Sequence, residues 1–315
     1  MIGVLLLNLG GPDSPDAVKP FLYNLFSDRE IIKLGPPLLQ KPIASFIAST
    51  RSGKTRAMYS MIGGKSPILE ITKAQAAALE EVLNSGHNAL NDAHYRVYIG
   101  MRYWHPFIED TLERMHRDGI KDIIALSLYP HYSIATTGSS VGRLKSAMKS
   151  YPGLSLRCIT SWYDHQLYIE ALIERIKSGL TLFCEEPGVL FSAHSLPQKF
   201  IDAGDPYLNE IEGTISAITK KIEIHWYLSF QSKSGPVKWL EPSTEQMLKD
   251  LARKGVKDLL VVPISFVSDH IETLYEIDIL YRNMAAGFGI NLKRTESLNT
   301  EQTFIKALAD MVTKA

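Results

Sequence analysis

Gly119-Ile-Lys-Asp-Ile-Ile-Ala-Leu-Ser-Leu-Tyr-Pro130 and Gly255-Val-Lys-Asp-Leu-Leu-Val-Val-Pro-Ile-Ser-Phe266 are two versions of one pattern. Each opens Gly-x-Lys-Asp and runs on through apolar residues with little polar alternation. A short run that is apolar on both faces suits a central strand of a parallel sheet, covered above and below. A weaker pair repeats in the same order: Gly3-Val-Leu-Leu-Leu-Asn-Leu-Gly10 and Gly188-Val-Leu-Phe-Ser-Ala-His-Ser195. The chain therefore reads as an α/β protein made of two similar Rossmann-like domains, each a parallel β-sheet flanked by helices.

Working outward, shorter strand-like runs fall at 95–99 and 155–160. Helical periodicity fills the gaps at 68–84, 107–118, 166–177, 208–221, 244–254 and 302–313. Strand and helix alternate, as right-handed parallel crossovers require. The expected division is 1–160 and 161–315. Ligands of open α/β sheets collect at strand C-termini, so a cleft between the two domains is the expected site. One segment departs from the alternation. Residues 21–50 include Leu34-Gly-Pro-Pro-Leu-Leu-Gln-Lys-Pro-Ile-Ala-Ser-Phe-Ile47, too rich in proline for a spanning helix. It reads either as extra core or as a hydrophobic lip able to touch a membrane surface.

Composition narrows the function classes. The 315 residues carry 34 basic and 34 acidic side chains, so long-range attraction to nucleic acid is not favoured. Cys158 and Cys184 form neither a disulfide framework nor a metal motif, and read as core thiols of a cytoplasmic protein. The start of the chain lacks the basic region of a signal sequence, and no stretch approaches the length of a membrane span. No motif speaks to the oligomeric state.

Two stretches could carry chemistry. In Phe191-Ser-Ala-His-Ser-Leu-Pro197 a histidine, His194, stands where a buried strand becomes a loop. It is either a satisfied strand-end histidine or a base working near neutral pH. In Ser268-Asp-His-Ile-Glu-Thr-Leu-Tyr-Glu-Ile-Asp278, residues Asp269, His270, Glu272 and Glu276 gather at a helix start. Asp269-x-x-Glu272 reads as a capping box. Glu276 falls on the same face one turn on, on a helix with little obvious solvent face. Paired carboxylates there call for a cation, a metal or a shared proton. Asn8-Leu-Gly-Gly-Pro12 is not a dinucleotide fingerprint. Ser66 reads as an N-cap with Pro67 at the first helical position, and Arg51, Lys54 and Arg56 could hold ligand carboxylates.

These residues resemble the ferrochelatase family, which inserts Fe(II) into a porphyrin to complete haem. The resemblance runs through Leu7–Asp13, Ile62–Ile68, Met101–Pro106, Phe191–Pro197, Phe230–Pro236 with Trp239-Leu240, and Ser268–Asp278. It implies that His194 and Glu272 are the catalytic pair and meet the metal, facing each other across the porphyrin. Asp269, His270 and Glu276 would support them and carry protons. Leu9, Arg51, Ser66, Arg102, Tyr103 and Trp239 would bind the porphyrin. Where coproporphyrin-using members have tyrosine, this chain has Leu9, which resembles the protoporphyrin branch. Some members bind an iron–sulfur cluster through a C-terminal extension; none follows here, so no cluster and no permanently bound cofactor is expected, Fe(II) being substrate. Leu280 replaces a further carboxylate seen in some relatives. The alternatives are a coproporphyrin ferrochelatase, a chelatase for another metal, and a non-catalytic tetrapyrrole carrier.

Overall fold

The structure, a computed structural model, describes residues 1–85, 94–235 and 237–315; Pro236 of the 230–236 stretch lies outside the described residues. The chain forms two compact units. The first comprises Met1–Ser161 with Ile305–Ala315, the second Trp162–Phe304.

In the first unit, β1 (Ile2–Asn8), β2 (Tyr95–Met101), β3 (Asp122–Ser127) and β4 (Ser155–Ile159) form one parallel sheet in the order β2-β1-β3-β4. β1 is central, and Val4, Leu5, Leu6 and Leu7 are all fully buried. That is why it reads as a continuous apolar run. Helices Ile68–Asn84, Ile108–Arg117 and Ser139–Met148 follow β1, β2 and β3 in turn. Leu5, Leu7, Ile123 and Ala125 pack with Ile108, Leu112 and Met115 in one core cluster.

The second unit repeats the plan. β5 (Gly188–His194), β6 (Trp226–Gln231), β7 (Asp258–Pro263) and β8 (Asn291–Arg294) pair in parallel in the order β6-β5-β7-β8. β5 takes the place of β1 and β7 that of β3, as the repeated sequences imply. Helices Gln166–Leu180, Tyr207–Thr219 and Thr244–Arg253 surround the sheet. Leu190, Leu259 and Val261 pack with Leu248, Leu251 and Ile277.

Two expectations need revision. β6 and β8 did not stand out in the sequence; they are edge strands, and their outer positions are partly exposed. The last helix, Gln302–Lys314, does not stay with residues 161–304. Its segment Ile305–Ala315 groups with the first unit, burying Ile305, Leu308 and Val312, while Arg157 of β4 donates to the Ala315 carbonyl. As expected, no helix in the 21–50 region is long and apolar enough to cross a membrane, and its prolines still leave room for helix. It holds helices Val18–Ser27 and Gln40–Ser60. Pro42 falls in the first turn, where its missing N–H removes no helical bond.

That segment is part core and part surface. Gln40, Ala44, Ala48 and Ser52, spaced by four, form the buried face of their helix. Leu38 is 91% exposed and Phe46 70%, so the outer side is an apolar lip. The turn beneath it is organised by the buried Gln40 amide. Its Nε2 donates to the carbonyls of Phe26 and Ile32, and its Oε1 accepts from Arg29 and the Leu34 N–H. Gln40→Ala strands several of these groups and is expected to cost about 2–3 kcal/mol, read as a lower midpoint in denaturant unfolding.

Candidate active site

His194 is the last residue of β5, and its neighbours hold its backbone rigid. Its N–H donates to Ser265 Oγ at 2.7 Å, and its carbonyl accepts from Tyr207 Oη at 2.9 Å. The imidazole Nδ1 lies 2.7 Å from Glu272 Oε2. Burial opposes charge on both groups, but their mutual attraction outweighs it. Glu272 is held well below the usual carboxylate range, and His194 is raised. The ionised carboxylate accepts, so Nδ1 carries the hydrogen. In the neutral ring this leaves Nε2 as the basic nitrogen.

Glu272 opens a ten-residue π-helix, Glu272–Tyr281. Such i→i+5 segments are rare and concentrate at functional sites. The expected capping box is absent. The Asp269 N–H goes instead to Asn299 Oδ1, so the Glu272 side chain is free to reach His194. Asp269 acts as an anchor: its carboxylate accepts from Thr273, Ser297, Asn299 and Arg294. Although burial opposes its ionisation, the Arg294 charge and these bonds keep it low. His270 is 5% exposed. Its Nδ1 donates to the Ser268 carbonyl, leaving Nε2 unpaired and 4.0 Å from Glu272 Oε1. Burial lowers its pKa, so it faces Glu272 as a neutral imidazole.

Ser232 and Gln231 join these groups, and the sequence reading gave neither a role. Ser232 follows β6 with a left-handed backbone, φ 67°. For a residue with a Cβ this costs on the order of 1–3 kcal/mol. The conformation sets Ser232 Oγ 2.8 Å from Glu272 Oε2 and 2.6 Å from Glu276 Oε2. Gln231 Nε2 donates to the Glu272 carbonyl at 3.2 Å and lies 3.4 Å from Glu276 Oε2. A hydroxyl has one proton, so holding both short contacts requires another on a carboxyl. Glu276 supplies it: burial and the adjacent Glu272 charge push its pKa to about 7. The charge of Glu245, on the neighbouring helix Thr244–Arg253, pushes the same way. The signal that could have found Ser232 was the polar Gln-Ser pair ending β6, a strand the apolar pattern hides.

The remaining expected residues divide by unit. In the second, Trp239 forms an antiparallel bridge with Pro197, three positions after His194. In the first, Arg102 and Tyr103 meet over Asp28: Arg102 Nη2 lies 2.7 Å and Tyr103 Oη 2.6 Å from Asp28 Oδ2, with Ser139 Oγ at 2.5 Å. Burial works against the Asp28 charge, but these partners hold the carboxylate below its ordinary range. Tyr103 is 1% exposed. Leu9 follows β1 and is half-buried, whereas Arg51 is exposed with its guanidinium over Phe26. Ser66 is not the N-cap. Pro67 holds that position, and Ser66 Oγ accepts weakly from Ile68 N–H at 3.4 Å. Ser66 also packs onto Gly11, where an added Cβ would lie 2.5 Å from Ser66 Oγ. Among the described residues, no group of three or more His, Cys, Asp or Glu is arranged to hold a metal.

Two parallel four-stranded sheets of identical order form a fold of the chelatase type. Among solved structures, SirB from Bacillus subtilis with Fe3+ shares this fold at a TM-score of 0.59 and 12% identity, over 99% of this chain and 94% of that one. DR2241 from Deinococcus radiodurans, described as structurally similar to chelatases, gives 0.52 at 9% identity over 98% of this chain and 54% of its own. In sequence, the ferrochelatase family model matches residues 1–315. The ferrochelatase of Geobacter metallireducens is 54% identical over 99% of this chain and 98% of its own, and that of Geotalea daltonii 53% over 98% and 96%. The ferrochelatase of Synechocystis sp. is 48% identical over 99% of this chain and 81% of its own. The chain belongs to the ferrochelatase family.

Glu276 gives a pH-dependent prediction. Its folded pKa lies above the ordinary carboxylate value, so the native state keeps a proton that the unfolded state loses. That contribution to stability is complete below the unfolded pKa and lost as pH rises through about 7. Glu276→Gln is therefore expected to raise the melting temperature relative to wild type more at pH 8 than at pH 5. An equal shift at both pH values would contradict the assignment.

Proposed function

We propose that this enzyme inserts Fe(II) into protoporphyrin IX, releasing two protons to form protohaem, the last step of haem biosynthesis. The observation that carries the reading is the unbroken contact series His194 Nδ1, Glu272 Oε2, Ser232 Oγ, Glu276 Oε2. A free porphyrin holds two pyrrole protons, and metal entry expels both. His194 Nε2 accepts a pyrrole proton, and the imidazolium formed is stabilised by the Glu272 carboxylate. Glu276 holds a proton at rest; once it has released that proton, as a pKa of about 7 allows near neutral pH, it can accept one passed from Glu272 through Ser232.

Fe(II) enters as substrate, and His194 and Glu272 are the pair that meets it. Glu272 Oε1 has no hydrogen-bond donor within reach among the described residues and lies 4.0 Å from the His270 nitrogen. A mixed oxygen and nitrogen donor set suits stepwise replacement of water on a divalent ion, which must be passed on rather than kept. Bending the macrocycle to expose its lone pairs takes roughly 1–5 kcal/mol of strain, supplied by binding elsewhere on the ring. Leu9, Arg51, Ser66, Arg102, Tyr103 and Trp239 are the residues we assign to that binding. An apolar Leu9 favours protoporphyrin over coproporphyrin, which carries more carboxylates. The enzyme needs no iron–sulfur cluster or other bound cofactor in this scheme, and it works in the cytoplasm. The exposed lip, with Leu38 91% and Phe46 70% exposed, contacts the membrane peripherally, where an apolar porphyrin dissolves.

Anaerobic assays with Fe(II), or Zn(II) as surrogate, test the reading through the visible spectrum of the metalloporphyrin. Protoporphyrin should turn over faster than coproporphyrin, and the reverse would sink the argument from Leu9. His194→Ala should abolish turnover with porphyrin still bound. Ser232→Ala should lower kcat by about 10- to 100-fold, the scale of a lost proton-transfer group. Binding of porphyrin by wild type without insertion would make the protein a carrier. For the lip, Leu38→Asp with Phe46→Asp should abolish co-sedimentation with lipid vesicles while leaving Zn(II) insertion in detergent intact; unchanged sedimentation would exclude this surface.

A further inference from the structure

We propose that Arg294 is the positioning residue that holds the π-helix in register and so sets Glu272 and Glu276 at their working spacing. The proposal rests on the chelatase reading for what those carboxylates do, and on geometry for the rest. Arg294 ends β8 and is 9% exposed in its side chain. Its Nε and Nη2 donate to the two oxygens of Asp278 at 3.0 and 2.8 Å, a bidentate pair. Its Nη1 lies 3.0 Å from Asp269 Oδ1 and also donates to the Thr295 carbonyl and Ser297 Oγ. One guanidinium thus grips both ends of a short stretch. Asp269 precedes Glu272 by three residues, and Asp278 follows Glu276 by two.

That bracket matters because of the ladder between its ends. A ten-residue π-helix is rare, and its sequence neighbours are ordinary α-helix, Arg282–Gly287 directly following. Falling back to α geometry would take up one residue and rotate all that follows by about 100° around the axis. Asp278 would then swing away from an Arg294 still bound to Asp269. The clamp is built into the sheet: Arg294 is in register with Val261 of β7, a buried strand. Ser297 and Asn299 hold Asp269 from the same side of the sequence, at 2.7 and 2.9 Å. Lysine cannot reproduce a forked contact to one carboxylate together with a second arm to another. Arg294 touches neither Glu272 nor Glu276, so any effect on them passes through backbone register.

The test compares wild type with Arg294→Lys, Asp278→Asn and the double variant. Zn(II) insertion gives kcat and KM, and amide hydrogen exchange follows residues 272–281. Each single variant should lower kcat by about 10- to 100-fold with KM for porphyrin within about twofold, the scale of a misplaced reacting group. Exchange should quicken in 272–281 and remain slow in β5 and β7. Arg294→Lys loosens both arms and Asp278→Asn only one, apart from its exposed contact with Arg282 at 3.4 Å; the double variant should therefore be about as impaired as Arg294→Lys alone, because the two changes share the Arg294–Asp278 contact. Retained kcat with unchanged exchange in Arg294→Lys overturns the proposal. So does a loss in KM alone, additive losses, or exchange quickened throughout residues 162–304 in both single variants, which would mark general destabilisation. A wild type that inserts no metal would refute the chelatase reading, and the exchange comparison would still decide the clamp.

Discussion

The hydrogen bond between His194 Nδ1 and Glu272 Oε2, 2.7 Å long, is the contact to which the second unit is arranged. It fixes the tautomer of the imidazole and the charge of the carboxylate together. It also ties a strand end to a helix start 78 residues away in sequence. Around it lie features that would be costly elsewhere: a π-helix, a left-handed serine, and a second carboxylate that must share its surroundings with the first. Each makes sense as a means of bringing Glu272 to the end of β5 and connecting it onward.

The first unit contains a polar centre of a different kind. At Asp28, three donors converge on one oxygen, leaving a carboxylate fully satisfied and ionised. Around Glu276, donors are fewer and a like charge is near, leaving a carboxyl that holds its proton up to about pH 7. The same functional group is a rigid strut in one place and an exchangeable proton store in the other. The difference lies in what surrounds each, not in the residue type.

How much of this was legible in the sequence depended on burial. β1, β3, β5 and β7 are covered on both faces, so each leaves a continuous apolar run, and helix Ile68–Asn84 matches its periodicity at both ends. β6 and β8 lie at sheet edges, where partial exposure admits residues such as Trp226, Lys293 and Arg294 and erases the pattern. The π-helix left no readable trace, since the spacing of Asp269 and Glu272 equally suits an ordinary cap. Only the competition from Asn299, 30 residues away, takes the backbone N–H and frees the glutamate. His194 was visible because a polar residue ended a buried run. Ser232 was not, because its importance comes from backbone conformation. In the lip the prolines argued correctly against a membrane span but could not place the helix Gln40–Ser60, since Pro42 falls where a helix tolerates it, a matter of position that composition does not convey.

The identical strand orders β2-β1-β3-β4 and β6-β5-β7-β8, with recurring sequence in two of the four strands, carry an evolutionary reading. They are what duplication of an ancestral half-length unit leaves behind. Gly3 of β1 and Gly188 of β5 pair with the equivalent residues Ile123 of β3 and Leu259 of β7, so the position of His194 is occupied in the first copy by Leu9. Asn8 turns its amide inward, bonding Thr72 and the N–H of Leu9. One copy carries an ionisable group at this position and the other an apolar one, whose N–H is held by the neighbouring Asn8. A symmetric ancestor, assembled from two such units, would have presented two equivalent sites. Fusion into one chain frees each half to diverge, so that equivalent positions such as Leu9 and His194 can carry different chemistry.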